Sequence, residues 1–576
     1  MAKYYPLLRA LTVSVAALVA YPLGALSQVA PSQVTPQTLR PTIPSAPGSL
    51  PQPGSGGQLQ VPPGAKGLSF IVGHVTIQGA FPELKNEMRP LVQAIEGHRV
   101  TVAQIYEFAN TVEQAYARAG FVLVRVTLPP QKLNDHGALR IVVVDGFIEK
   151  VQVDNVAERV RALVIARMAS LVGRRHIKLE EIERRLLIAG DVPGLRLRST
   201  LARGKGVGGA LLVLEGTHQL MTATVSLDNR LPASLGTWSY GGSIAINSLF
   251  GHGEQFYFSA QAAGSLNNIF DPTSPLRVVG IGIVLPLGLD GWIFNPEYTY
   301  SRSVPITAPG GLDNIGHFQR FALRTSYPVF RTRSQTLTFN AAYEDINQSV
   351  ALPIFDTDLN RDRYGVLRGG ANFETALPWL NESLQTTVAF SRGTGGRDAN
   401  DAALSGIPLS RQGAGPAFSK FTVDVHIIQP LPEGFRADLY GRAQNSFHEP
   451  LLVSEQFSLD GPLAVSAYQT GTLSVDEGGT LRGELSRPFA VPAVGIPLVL
   501  SPYIFASGGS GRLNDPTVLE IAAVRAGSLG AGLHSGLDLP GGYHGLTLGI
   551  EVARQYSNLQ NLTHAWRSNI SVGFRF

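Results

Sequence analysis

The sequence predicts a membrane β-barrel of about 16 antiparallel strands, preceded by two small α+β domains. From Leu220 onward, short runs of alternating apolar and polar residues are separated by clusters of Gly, Asn, Asp and Pro. Charged residues make up 16% of the chain and hydrophobic residues 44%, whereas about 25% charged residues is usual for soluble domains. A lipid-facing barrel explains both observations, because every second strand residue is apolar while no apolar run becomes long. At about 22 residues per strand and turn, residues 218–576 supply about 16 strands.

Residues 1–27 are typical of a secretory signal peptide. Lys3 and Arg9 supply a positive region, and the apolar stretch 10–20 that follows is too short to span a bilayer. Residues 25–27, Ala-Leu-Ser, form a small-x-small cleavage site. We therefore expect the chain to be exported and cleaved at this point.

Between this leader and the barrel, the composition changes twice. Residues 28–68 are rich in proline, which disfavours helix and predicts an extended linker. Residues 69–145 predict a strand, a helical region, a helix and two strands, and Thr101 with Gln104 forms a capping box at the start of the helix. The same order recurs over residues 146–217, so two copies of one small domain are expected.

The composition excludes several classes of function. Cysteine is absent, which rules out disulfides and thiolate metal sites, and a net charge of +4 suggests no nucleic-acid partner. Common hydrolase and nucleotide-binding motifs are missing, so we expect no enzyme activity, no catalytic residue, no cofactor and no metal. Residues 204–209 match G-x-G-x-x-G but lie between two predicted strands, which favours a hairpin turn over a nucleotide site.

The last predicted strand ends in an aromatic residue. Ile570, Val572, Phe574 and Phe576 alternate with small or polar residues and share one face. An ordinary amphipathic strand in a soluble sheet would show the same alternation. A final strand that ends in Phe, however, resembles the C-terminal signal of bacterial outer-membrane barrels, which implies outer-membrane localisation.

Residues 186–194 read Leu-Leu-Ile-Ala-Gly-Asp-Val-Pro-Gly and include Asp191, Pro193 and Gly194. They resemble the end of the second helix in the second POTRA domain of two-partner secretion transporters, the outer-membrane exporters of haemolysins and filamentous haemagglutinins. Three barrel segments resemble the same family: residues 226–229, 284–292 and 450–462.

This resemblance implies a location and an activity. The small domains would be POTRA domains in the periplasm of a Gram-negative bacterium, and their sheet edges would take an added strand from an unfolded partner polypeptide. The barrel would export that partner to the cell surface without ATP. The partner expected is a large β-helical haemolysin- or adhesin-like exoprotein. Outer-membrane lipid, periplasmic chaperones and the barrel-assembly machinery are the other expected partners.

In the family, a long loop folds inward, and the Arg of its Val-Arg-Gly-Tyr tip meets the Asp of a Phe-x-Asp-x-Gly strand. This sequence has Val-Ser-Ala-Tyr at 465–468 and Phe-Ala-Ser-Gly-Gly at 505–509. Both charged partners are serine, so Ser466 and Ser507 are expected to face each other across the lumen and hold the loop by uncharged hydrogen bonds. The residues assigned to the inward-loop motif are Gly461, Pro462, Val465, Ser466, Ala467, Tyr468, Asp476, Gly478, Arg482 and Glu484. The residues assigned to the barrel-wall partner motif are Phe505, Ser507 and Gly509.

Some family members carry an early helix that plugs the barrel. Pro31 and Pro36 break the only candidate segment in this chain, so no plug is expected. Two other functions stay open: an outer-membrane assembly or insertion factor of the same superfamily, and a passive solute porin. Two POTRA copies with the 186–194 element favour export over insertion, and a porin would not need POTRA domains.

Overall fold

The computed structural model describes eight stretches of the chain. They are residues 29–41, 59–307, 312–377, 382–493, 496–518, 520–539, 544–559 and 565–576. The expected signal peptide lies outside the described residues. None of the described helices is long and apolar enough to cross a membrane.

The first small domain packs two helices on a four-stranded sheet. After a single helical turn, α1 (Pro31–Val34), its elements are β1 (Ser69–Gln78), α2 (Lys85–Gln93), β2 (Arg99–Thr101), α3 (Val102–Arg118), β3 (Arg125–Thr127) and β4 (Gly137–Val144). The strand order is β2-β1-β4-β3, with β1 and β4 parallel. As predicted, Thr101 accepts a 3.2 Å hydrogen bond from the Gln104 amide and starts α3.

The second small domain repeats this order without a counterpart of β2. Its elements are β5 (Phe147–Val156), α4 (Glu158–Met168), α5 (Leu179–Gly190), β6 (Leu195–Arg203) and β7 (Gly209–His218), with strand order β5-β7-β6. The Gly204 amide donates to the Gly209 carbonyl at 2.9 Å and closes the turn between β6 and β7. The prediction that residues 204–209 form a hairpin is therefore confirmed.

The rest of the chain forms the barrel and its loops. The elements are β8 (Met221–Asp228), β9 (Ser239–Asn247), β10 (Gln255–Ala263), β11 (Leu276–Leu287), β12 (Trp292–Ser303), β13 (Ile315–Arg331), β14 (Gln335–Leu352), β15 (Thr357–Leu377), β16 (Glu382–Gly396), α6 (Ala399–Ser405), β17 (Ser419–Pro430), β18 (Arg436–Asn445), β19 (Phe457–Ser458), β20 (Ser474–Val475), β21 (Glu477–Ser486), β22 (Phe489–Ala493), β23 (Ile496–Arg512), β24 (Ala523–Asp538), β25 (Gly545–Ser557) and β26 (Trp566–Arg575).

The barrel closes where its last strand, β26, pairs with its first, β8. Strands β21 and β22 both pair with β23 and are two parts of one wall strand, so the described barrel has sixteen strands. The terminal Phe576 takes part in the closure, because its amide donates to the Ala223 carbonyl at 3.0 Å and its carbonyl accepts from the Ala223 amide at 2.7 Å. The predicted fold class is confirmed.

The two ends of the barrel differ. The end nearer the small domains, called the domain end, has short turns such as residues 288–291 and 332–334. The opposite end, called the far end, carries the long connections 397–418 and 446–476. The longer of these enters the lumen.

The closed barrel should resist SDS until it is heated, because a barrel without a free strand edge has no exposed ladder from which to unfold. We expect purified protein to migrate faster on an SDS gel when unheated and to shift to a slower band after boiling. The ratio of the two bands over a temperature series gives the measurement. One band whose position is independent of heating would contradict closure of β26 on β8.

Candidate functional site in the barrel lumen

Alternate strand residues face the barrel interior, and many of them are charged yet buried. Buried lumen-facing charges are Glu297, Arg320, Glu344, Lys420, Arg482, Glu484 and Glu551. A buried charge is costly unless it is paired and hydrogen-bonded. The lumen is therefore organised by ion pairs, and two segments of the chain itself complete them.

The first of these segments is residues 29–41, called here the N-terminal segment. Pro31 opens α1, because a proline at the first helical position sacrifices no hydrogen bond. Val29 and Val34 are buried in an apolar cluster with residues of β10 and β11. The expectations of a linker throughout 28–68 and of no early helix in the barrel are wrong for these residues, because Pro31 permits a helical turn at this position.

The second segment is residues 446–476, called here the inward loop. At its tip, the Ala467 amide donates to Ser528 Oγ at 3.1 Å, and Gln555 Nε2 donates to the Ala467 carbonyl at 2.6 Å. Val465 and Tyr468 are buried with wall residues of β23, β24 and β25 in one apolar cluster. The predicted tip residues thus contact the barrel wall inside the lumen.

Arg482 of β21 is the main polar anchor of this tip. Its guanidinium donates to Ser466 Oγ at 2.7 Å, to Glu484 at 2.6 Å and to Glu551 at 2.6 Å. Its Cζ atom lies 3.7 Å from the centre of the Phe505 ring, which adds a cation–π contact. The side chain is 1% exposed, and its charge is paired with the two carboxylates.

The expected contact between Ser466 and Ser507 is wrong. Ser507 Oγ is buried without a hydrogen-bond partner among the described residues, and Arg482 lies directly opposite Ser507 in the register of β21 and β23. The guanidinium forms a charge-assisted bond with Ser466, which is stronger than a bond between two hydroxyls. The cation that holds the tip therefore comes from the wall instead of the loop.

Asp476 anchors the base of the inward loop to other far-end loops. This fully buried carboxylate pairs with Arg411 and accepts from the Asn514 amide at 2.8 Å and the Leu451 amide at 3.3 Å. Arg411 also pairs with Glu520 at 3.0 Å. Three far-end connections consequently meet at one buried ion pair.

The remaining assigned residues of the two motifs have simpler roles. Gly461 adopts φ +124°, a conformation that favours glycine, and Pro462 beside it is exposed. Gly478 lies where a Cβ would come 2.6 Å from the Ser510 carbonyl, so only glycine allows β21 to approach β23 this closely. Gly509 faces the loop cluster from the wall.

A ladder of alternating charges crosses the wall between the two lumen segments. Glu297 pairs with Arg324 at 3.0 Å, and Arg324 pairs with Glu344 at 3.0 Å. Glu344 pairs in turn with Arg368 at 3.0 Å, and Arg368 pairs with Glu455 of the inward loop at 2.7 Å. The ladder thus runs from beside the N-terminal segment to the inward loop.

The sequence reasoning missed this ladder. Its signal was present, since Glu297, Arg324, Glu344 and Arg368 are charges inside barrel strands. Lys420, whose ammonium lies 2.8 Å from Glu455, is another. Such charges mark lumen-facing positions in a membrane barrel. Their pairing depends on strand register, which the sequence does not state.

The predicted POTRA element forms the joint between the second small domain and the barrel. Asp191 pairs with Arg331 at the end of β13 at 2.7 Å. Gly194 has φ +76°, and a Cβ there would lie 2.3 Å from the Gln219 carbonyl. Burial lowers the pKa of His218 at the end of β7, and a hydrogen bond to the Pro193 backbone opposes that shift.

Helix α5 adds a second contact to the joint. Arg185 pairs with Asp290 in the turn between β11 and β12 at 2.6 Å, and Arg184 donates to the Val329 carbonyl at 3.1 Å. The second domain is thereby fixed to the domain end of the barrel. Residues 186–194, on which the family resemblance rests, therefore belong to the surface of the second domain that docks on the barrel.

These features define a class of protein: an outer-membrane barrel that follows POTRA domains and carries an inward-folded loop, as two-partner secretion transporters do. Residues 210–532 match the family model of the haemolysin secretion/activation proteins ShlB/FhaC/HecB, and residues 70–146 match the ShlB-type POTRA domain. The chain belongs to this haemolysin secretion/activation family. Its barrel lies in the outer membrane and its POTRA domains lie in the periplasm, so the far end faces the cell exterior.

Individual relatives have low sequence identity to this chain, but the alignments cover most of both proteins. The outer membrane transporter CdiB of Escherichia coli is 22% identical over 458 residues, which cover 75% of this chain and 71% of that protein. The heme/hemopexin transporter protein HuxB of Haemophilus influenzae strain Rd is 23% identical over 517 residues, covering 86% and 85%. The solved structure of CdiB from Escherichia coli matches with a TM-score of 0.69 at 19% identity, covering 96% of this chain and 94% of that chain, which shows a shared fold.

Removing Arg482 should destabilise the protein more than removing its contact with the loop. Arg482→Met leaves Glu484 and Glu551 buried without a cation and should cost about 3–5 kcal/mol. Ser466→Ala removes one charge-assisted bond and should cost about 1.5–3 kcal/mol. Thermal unfolding of the purified protein measures both. Ser507→Asp, which adds a third carboxylate beside Arg482, should cost more than Ser466→Ala, and a smaller loss would contradict this assignment.

The Asp191–Arg331 pair should contribute modestly to docking of the second domain. The two side chains are 32% and 23% exposed, so a double-mutant cycle of Asp191→Asn and Arg331→Gln should give about 0.5–1 kcal/mol of coupling. Hydrogen exchange of the α5 amides is the readout. Asp135→Asn, which breaks an ion pair with Arg99 in the first domain, is the control and should leave α5 unchanged. Equal exchange in all variants would show that the pair does not dock the domain.

Proposed function

We propose that this protein binds an unfolded partner polypeptide with its POTRA domains and exports it through the barrel to the cell surface. The proposal rests on the observation that two segments of the chain occupy the lumen. The N-terminal segment and the inward loop fill a wide, polar barrel and are held there only by hydrogen bonds, ion pairs and apolar contacts. Such an interior closes the pore at rest and can be rearranged to open it.

The resting arrangement supports regulated transport over passive diffusion. A porin lumen is an open aqueous channel, whereas two segments of this chain occupy the lumen and pair with its charges. The passive-porin alternative has no comparable support in the geometry. Relatives bear the names transporter of heme/hemopexin and of hemolysin, and a large β-helical exoprotein remains the partner that we propose here.

The docking edge that we propose for the partner is β6 in the second POTRA domain. This nine-residue strand pairs only with β7 among the described strands, whereas β3 at the edge of the first domain has three residues. The bonds Gly204–Gly209 and Gly194–Gln219 show that even-numbered residues of β6 point their main-chain groups toward β7. Odd-numbered residues such as Leu197 and Leu201 therefore offer theirs to an added strand.

Export by this route needs no nucleotide at the transporter. Extended partner enters from the periplasm, and folding at the cell surface prevents its return. Recognition through main-chain hydrogen bonds at β6 tolerates variable partner sequence, as a processive exporter requires.

Proline at residue 201 should weaken capture of the partner without breaking the domain. Leu201 points its amide to the free edge, so Leu201→Pro removes a docking donor and no bond to β7. We expect secretion of the partner to fall at least fivefold, measured in the culture medium by quantitative immunoblot.

The matched control is Leu201→Ala, which loses similar packing but keeps the amide. It should secrete at nearly the parental rate, and both variants should show the parental heat-dependent gel shift. Equal secretion by the proline and alanine variants would place the docking edge elsewhere.

A further inference from the structure

The N-terminal segment is held in the lumen through its main chain. Arg320 Nη2 donates to the Pro36 carbonyl at 2.9 Å. Arg324 Nη2 donates to the next carbonyl, that of Gln37, at 2.9 Å. Two adjacent arginines on β13 thus bind two consecutive carbonyls of an extended stretch.

The same wall binds the two main-chain groups of a third residue. The Leu39 amide donates to Glu297 Oε2 at 3.0 Å, and the Leu39 carbonyl accepts from Ser259 Oγ at 2.7 Å. Thr38 adds one side-chain bond, from its hydroxyl to Glu297 at 3.1 Å. We call Ser259, Glu297, Arg320 and Arg324 the cradle.

Side chains of the bound stretch contribute little to the recognition. The Pro36, Gln37 and Thr38 side chains are exposed, and the Leu39 side chain lies against Gly280, where a Cβ would come 2.3 Å from Leu39 Cδ1. Apart from the Thr38 bond to Glu297, recognition of this stretch therefore depends on main-chain groups and on space beside Gly280 for one bulky side chain.

The wall residues of the cradle also bond to one another. Tyr257 donates to Glu297 at 2.8 Å, Arg324 bridges Glu297 and Glu344, and Arg320 lies 3.5 Å from Glu297. Arg320 is 5% exposed, and its Nε has no partner among the described residues. A buried spare donor beside a polypeptide indicates capacity for a further carbonyl.

We propose that the cradle is a binding site for extended polypeptide main chain in general, and that the N-terminal segment is its resting occupant. A partner chain in transit occupies the same four side chains once that segment leaves. This rests on the proposed export function, and it explains how one wall site serves a chain of varied sequence. Main-chain carbonyls and amides are common to every residue except proline, which lacks the amide.

The test uses the full chain with a spin label on Gln37→Cys. The sequence contains no cysteine, so this thiol is unique, and the mobile fraction of the label reports release of the segment. The probe is an eight-residue acetylated peptide of alternating Ser and Val at millimolar concentration, which matches the effective concentration of a short tethered segment. It should at least double the mobile fraction.

Two further probes separate main-chain from side-chain recognition. The same peptide N-methylated at every residue should leave the label bound, because it has no amide to donate to Glu297. A peptide that copies residues 34–41 should displace the segment about as well as the Ser-Val peptide. Three outcomes would each overturn the proposal. They are displacement only by the peptide that copies residues 34–41, equal displacement by the N-methylated peptide, and no displacement by any peptide.

A pair of wall variants completes the test. Ser259→Ala loses the bond to the Leu39 carbonyl and should raise the ratio of mobile to bound label about 2- to 10-fold. Ser243→Ala is the matched control, since Ser243 is a serine of the neighbouring strand β9 whose hydroxyl bonds to Thr224; it should leave the ratio unchanged. An equal ratio in both variants would overturn the role of Ser259. No transport is measured, so a failure of the export proposal would appear separately, as a loss of secretion.

Discussion

Pairing of buried charge is the constraint on which the interior of this barrel depends. The lumen contains arginines and carboxylates that water does not reach, and each would be costly if left alone. The wall resolves this by alternating charges along neighbouring strands, from Glu297 through Glu344 to Arg368. The inward loop adds Glu455 to the end of the series and is positioned by it.

The same constraint explains how the chain holds its loop without the family's arginine at the loop tip. Ser466 supplies only a hydroxyl, and Arg482 on the wall supplies the cation together with Glu484 and Glu551. Because Arg482 keeps both carboxylates when the loop moves away, loss of its bond to Ser466 leaves the guanidinium paired. The other contacts of the tip, at Ala467 and in the apolar cluster around Val465 and Tyr468, must also break.

The ladder also places the two lumen segments in one network. Glu297 bonds to the N-terminal segment and Glu455 belongs to the inward loop, and three wall residues separate them. Charged hydrogen bonds in a low-dielectric interior polarise one another. The N-terminal segment and the inward loop lie at the two ends of one continuous series of such bonds along the wall.

The sequence by itself determined the class of fold and predicted the order of elements in the two small domains, because strand alternation, helix periodicity and turn residues are local properties. The 186–194 element and a loop tip at Ser466 were instead suggested by a family resemblance. Only the tertiary structure decided which groups meet. Strand register sets Arg482 opposite Ser507, and barrel closure brings residues 36–39 against β13, although nearly three hundred residues separate them in the chain. Contacts between such distant positions depend on register and closure, which no local pattern encodes.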